Sequence, residues 1–439
     1  MISNEHKKIA QQAMEFALKN GAQACRVSIS ASTDTSFEMR DKQLDRLQQA
    51  SDNGMSIELY VDGRYGAVSS NKINKKDVEL LIKNGIDATR YLSEDPFRKL
   101  PDPSRYYKGG MPDLQLIDSK LNSISADEKL SLAKSVINEI YGTDDRLISV
   151  ESSYGDGDYF TYRVDSNNFE GDGGSTWYSL GGGVSLKGDG DARPQGSWYE
   201  SALYFDDLIK TNIGKTALER GLKKLGQKKI KSGKYQMILD NLMGTRLLSP
   251  MLNALSGGAL QQKNSFLLDK LGQKVASDKF TLIDNPHIIK ASGARYFDNE
   301  GVATQKRTVY DKGVLQTYFI DTYNALKMET EPTINGTSIL EMQLGQKNFQ
   351  DILKTIKSGI YVTGFNGGNS NGTTGDFSFG VEGFLIENGE LTQPINEMNI
   401  TGNMITLWAN LAEVGNDPRL TSSWRIPSLL FNDVDFSGL

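Results

Sequence analysis

The chain has 439 residues, of which 38% are hydrophobic and 24% are charged, and its net charge is −6. These fractions are typical of a soluble globular protein, since no stretch approaches the roughly 18 consecutive apolar residues of a membrane helix and no basic tract could bind nucleic acid. We therefore expect two domains, with neither a membrane nor a nucleic acid as partner.

The N-terminal segment predicts a cytoplasmic protein. Charges are scattered through residues 1–21, and no apolar block precedes a small-residue cleavage site, so a signal peptide is not expected. Cys25 is the single cysteine and cannot form an internal disulfide, which fits a reducing compartment. Beside a predicted strand, Cys25 is interpreted as a small buried hydrophobe rather than as a reactive thiolate.

The first half alternates predicted helices with antiparallel strands. Apolar spacing and capping residues predict helices over 4–20 with Ser3 as N-cap, over 75–91, over 126–141 from a capping box at Ser125 and Glu128, and over 213–225. Strands are predicted over 25–40 and in a hairpin over 54–69 that folds at Asp62-Gly63. A proline-rich surface connection follows at 93–113. A strand meander over 147–203 is predicted to break at the glycine clusters 155–158, 171–174, 181–183 and 188–191.

The second half is predicted to be rich in strands. We expect paired strands over 302–310 and 314–320, a short helix capped by Asn348, strands over 359–365, 377–387 and 390–394 with a turn at Asn388-Gly389, a helix over 403–414, and a closing strand over 425–436. The predicted fold class is α+β. An N-terminal α+β domain with an antiparallel sheet would cover 1–226, and a β-rich C-terminal domain with a few helices would cover 227–439.

Residues 235–268 change their hydrophobic period halfway along. Alternation over 235–240 predicts a strand, and the leucine spacing from Leu242 to Leu255 predicts a buried helix that leads away from it. Pro250 should kink this helix, and Gly257-Gly258 should end it. Enzymes often place catalytic groups between the end of a strand and the start of the next helix. The polar candidates on this helix are serine and asparagine side chains, without His, Cys or Glu.

Catalytic metal and nucleophile patterns are missing from the sequence. Zinc sites need several His, Cys or carboxylate ligands at short spacing, whereas His6 and His287 stand far apart and are interpreted as a solvated helix residue and a loop residue. The acids Asp156, Asp158, Asp165 and Asp172 lie close in sequence, which leaves a carboxylate-only calcium or magnesium site open. Because they miss the calcium-loop pattern, we interpret them as exposed hairpin tips. No nucleophile elbow and no phosphate loop occurs.

Two other sequence features are candidates for a binding site or an interface. The polar, glycine-rich stretch 366–376 precedes an apolar strand and could line a site for a ligand that binds by adding a strand, or it could simply be a flexible hairpin loop. Trp408 lies with Leu407, Leu411 and Val414 on the predicted late helix. We interpret these residues as core rather than as an interface.

Several segments resemble one known family. They are SFLLDKLGQKVAS at 265–277, TLIDNP at 281–286, FDNEGVATQKRTVYDKGVLQTYFIDTYNALKM at 297–328, TTGDFSFGVEGFLIENGELTQPINEMNITGN at 373–403, VGND at 414–417 and RIPSLL at 425–430. They resemble the TldD/TldE family, also called PmbA or modulator of DNA gyrase. The resemblance implies an α+β N-terminal domain, a β-rich C-terminal domain, and a dimer around a cleft for extended or unfolded peptide.

The same resemblance implies a catalytic metal only in the TldD branch. There, a helix carries H-E-x-x-x-H, its histidines and a late cysteine hold the metal, and its glutamate is the general base. In this sequence Leu248 and Asn253 match the histidine positions and Ser249 matches the glutamate. The cysteine loop is shortened to 417–424. The chain therefore resembles the TldE branch, with no catalytic residue, cofactor or metal of its own and with zinc expected only in a TldD-like partner.

This resemblance leads to a functional hypothesis with two alternatives. The chain would pair with a TldD-like metallopeptidase, or with itself, and help to bind unfolded peptide. Peptide-cleft residues would be Asn253, Gly257, Gly258, Gly367, Gly368, Thr374, Gly375 and Asp376. The first alternative is an autonomous peptidase with an unrecognised carboxylate site. The second is a homodimeric peptide-binding protein.

Overall fold

The computed structural model describes residues 1–438, and its first half is built on one antiparallel sheet. The strand order is β3-β2-β1-β4-β5-β6. The strands are β1 Ala24–Arg40, β2 Gln43–Val61, β3 Arg64–Ser70, β4 Leu147–Asp165, β5 Glu170–Leu186 and β6 Gln195–Ala202. The helices are α1 Asn4–Lys19, α2 Lys75–Thr89, α3 Ala126–Asn138 and α4 Ile213–Leu222.

All four helices cover the same face of this sheet. The buried apolar residues of β1 from Cys25 to Met39 are odd-numbered, and those of β4 from Val150 to Val164 are even-numbered. Side chains alternate between faces along a strand, so each set lies on one side. Cys25 is fully buried there, as predicted, and burial together with Glu58 and Asp165 raises the pKa of its thiol.

Local signals predicted the four helices and the β2–β3 turn, but β2 begins at Gln43 rather than at 54, so the first part of this strand was missed. The Ser3 hydroxyl accepts a hydrogen bond from the His6 amide at 3.1 Å, and the Ser125 hydroxyl accepts one from the Glu128 amide at 3.2 Å. Both contacts satisfy amides that the first helical turn leaves free. The predicted hairpin turn is also confirmed, since Asp62 and Gly63 have φ values of 50° and 72°.

Three of the four predicted breaks in the glycine-rich meander are wrong. Strand β4 runs through 155–158 and β5 runs through 171–174 and 181–183, while the chain reverses at 166–169 and in the loop around 188–191. Several of these glycines, including Gly157, Gly174 and Gly182, allow close approach rather than turns. A Cβ on Gly157 would lie 2.1 Å from the Thr33 carbonyl oxygen of β1 and 2.9 Å from the Trp177 ring nitrogen.

The interpretation of the nearby acids as exposed hairpin tips is wrong for Asp156 and Asp165, whereas Asp158 is half-buried and Asp172 is exposed. Asp156 and Asp165 are each 1% exposed. The Asp156 carboxylate is 2.7 Å from Lys129 Nζ and accepts a hydrogen bond from the Tyr154 hydroxyl at 2.8 Å. Asp165 is 3.4 Å from Arg26 Nη2, so both buried carboxylates have cationic partners.

The second half contains two sheets. One has the order β10-β9-β8-β11-β16; the other has the order β14-β13-β12-β7-β17-β15, and β14 also pairs with β17, so that five strands close into a ring. Strands are β7 Gly233–Leu239, β8 Leu282–Asp284, β9 Arg307–Asp311, β10 Val314–Leu315, β11 Leu340–Met342, β12 Ser358–Ser370, β13 Asp376–Glu387, β14 Glu390–Asn403, β15 Leu411–Val414, β16 Trp424–Arg425 and β17 Leu429–Ser437. Helices are α5 Gly244–Asn253, α6 Gly257–Gln261, α7 Thr322–Met328, α8 Phe349–Leu353 and α9 Met404–Ala409.

The predicted strand and helix types hold in this half, but several boundaries do not. Strands β9 and β10 are shorter than predicted, and the closing strand is interrupted around Pro427, which has no amide hydrogen to donate. The late helix ends at Ala409, and 411–414 forms β15. Trp408 is fully buried, which confirms its interpretation as core.

The two halves touch through apolar contacts, such as that of Leu114 with Ala291 and Ile339, and through polar ones. Arg26 donates a hydrogen bond to the Glu300 carbonyl oxygen at 3.1 Å, and Arg419 lies 3.0 Å from the Glu200 carboxylate. The α+β fold class is confirmed, and the domain boundary at 226/227 stays a prediction. Within 1–438, no helix has both the length and the apolar character that crossing a bilayer requires.

Gly157→Ala should destabilise the protein because the new methyl group would collide with the β1 backbone, which cannot move without disturbing the sheet. Overpacking of this kind costs about 1–3 kcal/mol. The matched control is Gly173→Ala on β5, where the nearest atom to a new Cβ is 3.8 Å away. Thermal unfolding should show a lower melting temperature for the first variant alone, and equal melting temperatures would contradict the close-approach argument.

Candidate functional site

Helix α5 presents no metal-binding side chain at the three positions singled out in the sequence. Leu248 is fully buried in the core with Leu247, Met251 and Leu252. The Ser249 hydroxyl donates a hydrogen bond back to the Thr245 carbonyl oxygen at 2.7 Å. Asn253 lies on the exposed side of the last turn. Of the two positions that match histidines, 248 is therefore buried and 253 is exposed. Leu248 has no atom that could bind a metal ion, and the Ser249 hydroxyl is already hydrogen-bonded to the backbone.

The end of this helix differs from the sequence prediction. Gly257-Gly258 does not terminate α5; the helix ends at Asn253, and the two glycines begin α6 with Ser256 as its N-cap. The Ser256 hydroxyl accepts a hydrogen bond from the Ala259 amide, which explains why a new helix begins here. Pro250 lies inside α5 as expected.

The donor chemistry of the chain does not fit a zinc site. Among residues 1–438, no group of three or more His, Cys, Asp or Glu side chains lies close enough to hold a metal ion. His287 lies in a turn, as predicted, with its Nε2 3.0 Å from the Thr304 hydroxyl. Burial lowers the pKa of His287, which favours the neutral ring.

The shortened loop at 417–424 and the residues that follow it to 428 lie beside the first turn of α5. A Cβ on Gly244 would be 2.6 Å from Ile426 Cγ2, so helix and loop pack directly. The Asp417 carboxylate accepts hydrogen bonds from the Ser428 amide at 2.9 Å and hydroxyl at 2.7 Å, and Asn241 donates to the Asp417 carbonyl oxygen at 2.7 Å. These hydrogen bonds fix the loop at the place where the resemblance would put the cysteine ligand of the metal. They also occupy the carboxylate of Asp417, which is the one acidic residue of the loop.

The glycine-rich stretch is only partly a loop. Residues 366–370 continue β12 with a bulge, and the loop proper is confined to 371–375, so the predicted loop boundaries are wrong. Gly367 and Gly368 have φ values of 102° and 86°, which side chains rarely adopt. Arg246 of α5 donates to both of their carbonyl oxygens, at 3.3 and 2.6 Å, and its guanidinium lies 4.5 Å from the Phe379 ring centroid.

The tip of this hairpin packs against the end of α6. The Phe266 amide donates to the Gly372 carbonyl oxygen at 2.9 Å, and a Cβ on Gly375 would be 3.1 Å from the Phe266 ring. Asn403 donates to the Thr374 carbonyl oxygen at 2.8 Å and to the Asp376 carboxylate at 2.9 Å. Hydrogen bonds from Asn403 and Thr374 lower the pKa of Asp376, which keeps this exposed carboxylate charged.

The two glycines at the start of α6 differ in their surroundings. The Gly257 amide donates to the Phe319 carbonyl oxygen at 2.7 Å, and a Cβ there would be 3.0 Å from Asn324 Cβ. A Cβ on Gly258 would meet nothing within 4 Å. The structure thus joins α5 to the bulge through Arg246, and α6 to the hairpin tip through 264–266. Of the predicted cleft residues, Gly258 is half-buried and Gly257 and Gly375 are buried, while the other five are exposed: Asn253, Gly367, Gly368, Thr374 and Asp376.

Two features of the structure were missed by sequence reasoning, and only the first belongs to the region of α5 and α6. Arg246 is the one charged residue of α5, and that contrast could have singled it out. A half-open cavity of about 550 Å³ lies between the two halves, with Tyr159, Arg163 and Tyr296 among its lining residues. No local pattern indicates this cavity, because its walls come from segments that are distant along the chain.

Comparison with known proteins gives consistent matches over most of the chain. Models described as PmbA/TldA metallopeptidase domain 1, central domain and C-terminal domain match residues 25–89, 119–225 and 232–438. The chain is 28% identical over 439 residues to "Metalloprotease PmbA" of Escherichia coli O157:H7, and the match covers 98% of this chain and 97% of that protein.

Solved structures extend the match to the whole fold. A candidate modulator of DNA gyrase from Bacteroides thetaiotaomicron VPI-5482 is 62% identical, with a TM-score of 0.98 and coverage of 100% of both chains. TldE from Thermococcus kodakarensis, at 21% identity, has a TM-score of 0.85, and the match covers 98% of this chain and 100% of that one. This second likeness concerns the fold alone.

Arg246→Ala should loosen the glycine bulge, because it removes two charge-assisted hydrogen bonds to the 367 and 368 carbonyls. Such bonds are worth about 1.5–3 kcal/mol each at most. Amide hydrogen exchange over 366–370 should accelerate, whereas exchange in β1 should not change. Arg246→Lys keeps the charge without the planar fork and should show an intermediate effect. Unchanged exchange in the alanine variant would contradict this role.

Proposed function

Since the chain belongs to the PmbA/TldD metallopeptidase family, we propose that it is the metal-free, TldE-like subunit of a two-subunit peptidase. In this proposal a TldD-like partner holds the zinc and cleaves the peptide bond, and this chain supplies part of the wall around the substrate. Zinc would serve there to activate a water molecule. We assign no step of the peptide cleavage to any residue of this chain.

The donor chemistry around α5 is the observation that carries the proposal. Zinc in a catalytic site needs three protein ligands and an open position. The matching positions hold Leu248, which is buried and has no donor atom, and Asn253, which is exposed. The base position holds Ser249, whose hydroxyl is already hydrogen-bonded to the backbone. The two ligand positions and the base position therefore all lack the required side chain, although the helix itself is well packed.

The surface around α6 and the 371–376 hairpin tip has features that suit an extended peptide. Such ligands bind through main-chain hydrogen bonds and need close backbone approach. Gly258 faces open space, and Thr374 and Asp376 place polar atoms at an exposed rim. Gly367 and Gly368 leave the neighbouring bulge without side chains. This combination favours peptide binding over binding of a compact small molecule.

The first experiment combines metal analysis with a cleavage assay on unfolded peptide. The purified chain should contain far less than one zinc per chain and cleave nothing alone. Cleavage should appear with a TldD-like subunit and disappear when the glutamate of that partner's H-E-x-x-x-H motif is replaced by glutamine. Stoichiometric zinc with chelator-sensitive cleavage by this chain alone would overturn the proposal, and metal-independent cleavage would support an autonomous carboxylate site.

Gly258→Trp should block the peptide wall without unfolding the protein, because the new side chain would project into open space. We expect cleavage by the two-subunit complex to fall by about tenfold or more, since a steric block of a few kcal/mol suffices. Gly258→Ala is the matched control and should leave cleavage unchanged. Full activity of the tryptophan variant, with normal complex formation, would show that this surface does not contact substrate.

A further inference from the structure

The half-open cavity of about 550 Å³ between the two halves has its floor on the sheet of the first half. Tyr159, Thr161 and Arg163 are alternate residues of β4, so their side chains project from one face of the sheet. This face is opposite to the one that the four helices cover. On β5 the small residues Ser175 and Gly173 stand opposite Tyr159 and Thr161. The lack of bulky side chains on β5 leaves open space above this part of the sheet.

The wall of the cavity comes from residues 291–299 of the second half, and contacts outside the cavity hold this wall in place. The Tyr296 hydroxyl donates a hydrogen bond to the Pro112 carbonyl oxygen at 2.9 Å and accepts one from the Leu114 amide at 2.9 Å. The Tyr296 ring also stacks on Tyr107, with 5.2 Å between the ring centroids. The wall is therefore fixed by the fold itself, which is usual for small-molecule sites.

Apolar and aromatic side chains line much of the cavity. Tyr159 and Ile117 are 50% and 44% exposed, although both are large and hydrophobic. Phe297, Leu116 and Ala294 add further apolar surface. Ligand pockets typically have volumes of about 300–1,000 Å³ and a mainly hydrophobic lining with a few polar groups. The cavity therefore suits a small molecule with an apolar or aromatic body.

Arg163 brings a positive charge to this cavity. Its Nε donates to Ser28 Oγ at 3.0 Å and its Nη1 donates to the Asp298 carbonyl oxygen at 3.2 Å, so both acceptors are neutral. Within residues 1–438, its Nη2 makes no hydrogen bond and no carboxylate lies at ion-pair distance from the guanidinium. Arg307, for comparison, lies 3.8 Å from the Asp284 carboxylate.

The charge of Arg163 is therefore poorly compensated within the chain. Burial, together with the positive charge of Arg26, lowers the pKa of Arg163. A partly desolvated charge without a counter-ion is unfavourable, and an anion that enters the cavity would relieve this cost. A guanidinium suits a carboxylate in particular, because it can donate charge-assisted hydrogen bonds to both carboxylate oxygens.

The other charged groups of the cavity favour a monoanion over a doubly charged phosphate. Lys7 forms an ion pair with Asp172, and the Nη2 of Arg295 donates to backbone carbonyl oxygens. The lining also contains the carboxylates of Asp113 and Asp298, which together with Asp172 would repel a dianion more strongly than a monoanion. A carboxylate is therefore the anion that this lining suits.

We propose that this cavity binds a small organic carboxylate with an apolar or aromatic body, and that Arg163 holds the carboxylate group. Tyr159 and Phe297 would contact the body of the ligand. The cavity is separate from the candidate peptide surface, which lies on α5, α6 and the 366–376 segment. The inference therefore does not rest on the proposed peptidase role.

An NMR titration that observes the ligand tests the proposal on the purified chain, with hydrocinnamate as the probe. The wild type should bind hydrocinnamate with a dissociation constant of about 1 mM or lower, and the uncharged hydrocinnamide about tenfold or more weakly. Arg163→Met should weaken binding of the carboxylate by a similar factor but leave binding of the amide unchanged. Arg163→Lys keeps the charge and should restore part of the loss. Arg40→Met, which replaces an exposed arginine outside the cavity, is the control and should change neither affinity.

A second variant fills the cavity and leaves its charge in place. Within 4 Å, a Cβ on Gly173 would meet only the Thr161 hydroxyl oxygen, at 3.8 Å, so Gly173→Leu should fold and project its side chain over the floor. Binding of both probes should weaken by about tenfold or more, because the leucine takes the space of the ligand body. In the wild type, bound hydrocinnamate should slow amide hydrogen exchange over 291–299, which would locate the probe in this cavity.

Several outcomes would overturn the inference. They are a wild type without saturable binding, equal affinity for the two probes, and carboxylate binding that survives Arg163→Met or Gly173→Leu unchanged. Tighter binding of phenyl phosphate than of hydrocinnamate would contradict the choice of a carboxylate. Zinc content and peptide cleavage, measured on the same samples, report on the proposed function, so the failure of one proposal can be distinguished from the failure of the other.

Discussion

The second half of the molecule depends on the position of β7 between two partners. β7 pairs in parallel with β12 and antiparallel with β17, and the β14–β17 pairing closes the ring on the far side. Asp240 follows directly and fixes the exit of the chain, since its carboxylate accepts a hydrogen bond from the Leu242 amide at 2.8 Å and another from the Tyr361 hydroxyl. Burial and Asp240 together raise the pKa of Tyr361, which keeps it a donor. Helix α5 therefore enters the core in a direction set by the ring.

The packing of α5 explains how the helix can persist without catalytic groups. Leu247, Leu248 and Met251 are fully buried, and burial of each such side chain contributes about 1.5–3 kcal/mol. The Trp408 ring nitrogen donates to the Leu247 carbonyl oxygen at 3.2 Å, which ties α5 to α9. These contributions are independent of any metal ion. These contacts alone are sufficient to hold α5 in its place in the core.

Glycine has two different physical roles in this molecule. In β4 and β5 it allows neighbouring strands and aromatic rings to approach, as Gly157 does beside Thr33 and Trp177. In β12, Gly367 and Gly368 supply backbone angles that other residues avoid, and Arg246 holds the resulting bulge. Both roles need a missing side chain, but only the second resembles a turn. A count of glycines cannot distinguish them.

The sequence by itself determined the features that arise from neighbours along the chain. Four such features could be predicted because each depends on a few adjacent residues. They are the helix caps at Ser3 and Ser125, the turns at Asp62-Gly63 and Asn388-Gly389, the strand-to-helix change after 240, and the absence of metal-binding side chains at 248, 249 and 253. Tertiary structure decided the rest, because three features depend on partners that are far along the chain. These are the place of Gly157 in a strand rather than a turn, the burial of Asp156 and Asp165 beside cations, and the hydrogen bonds of Arg246. Only the fold brings those partners close, so no local pattern could have revealed them.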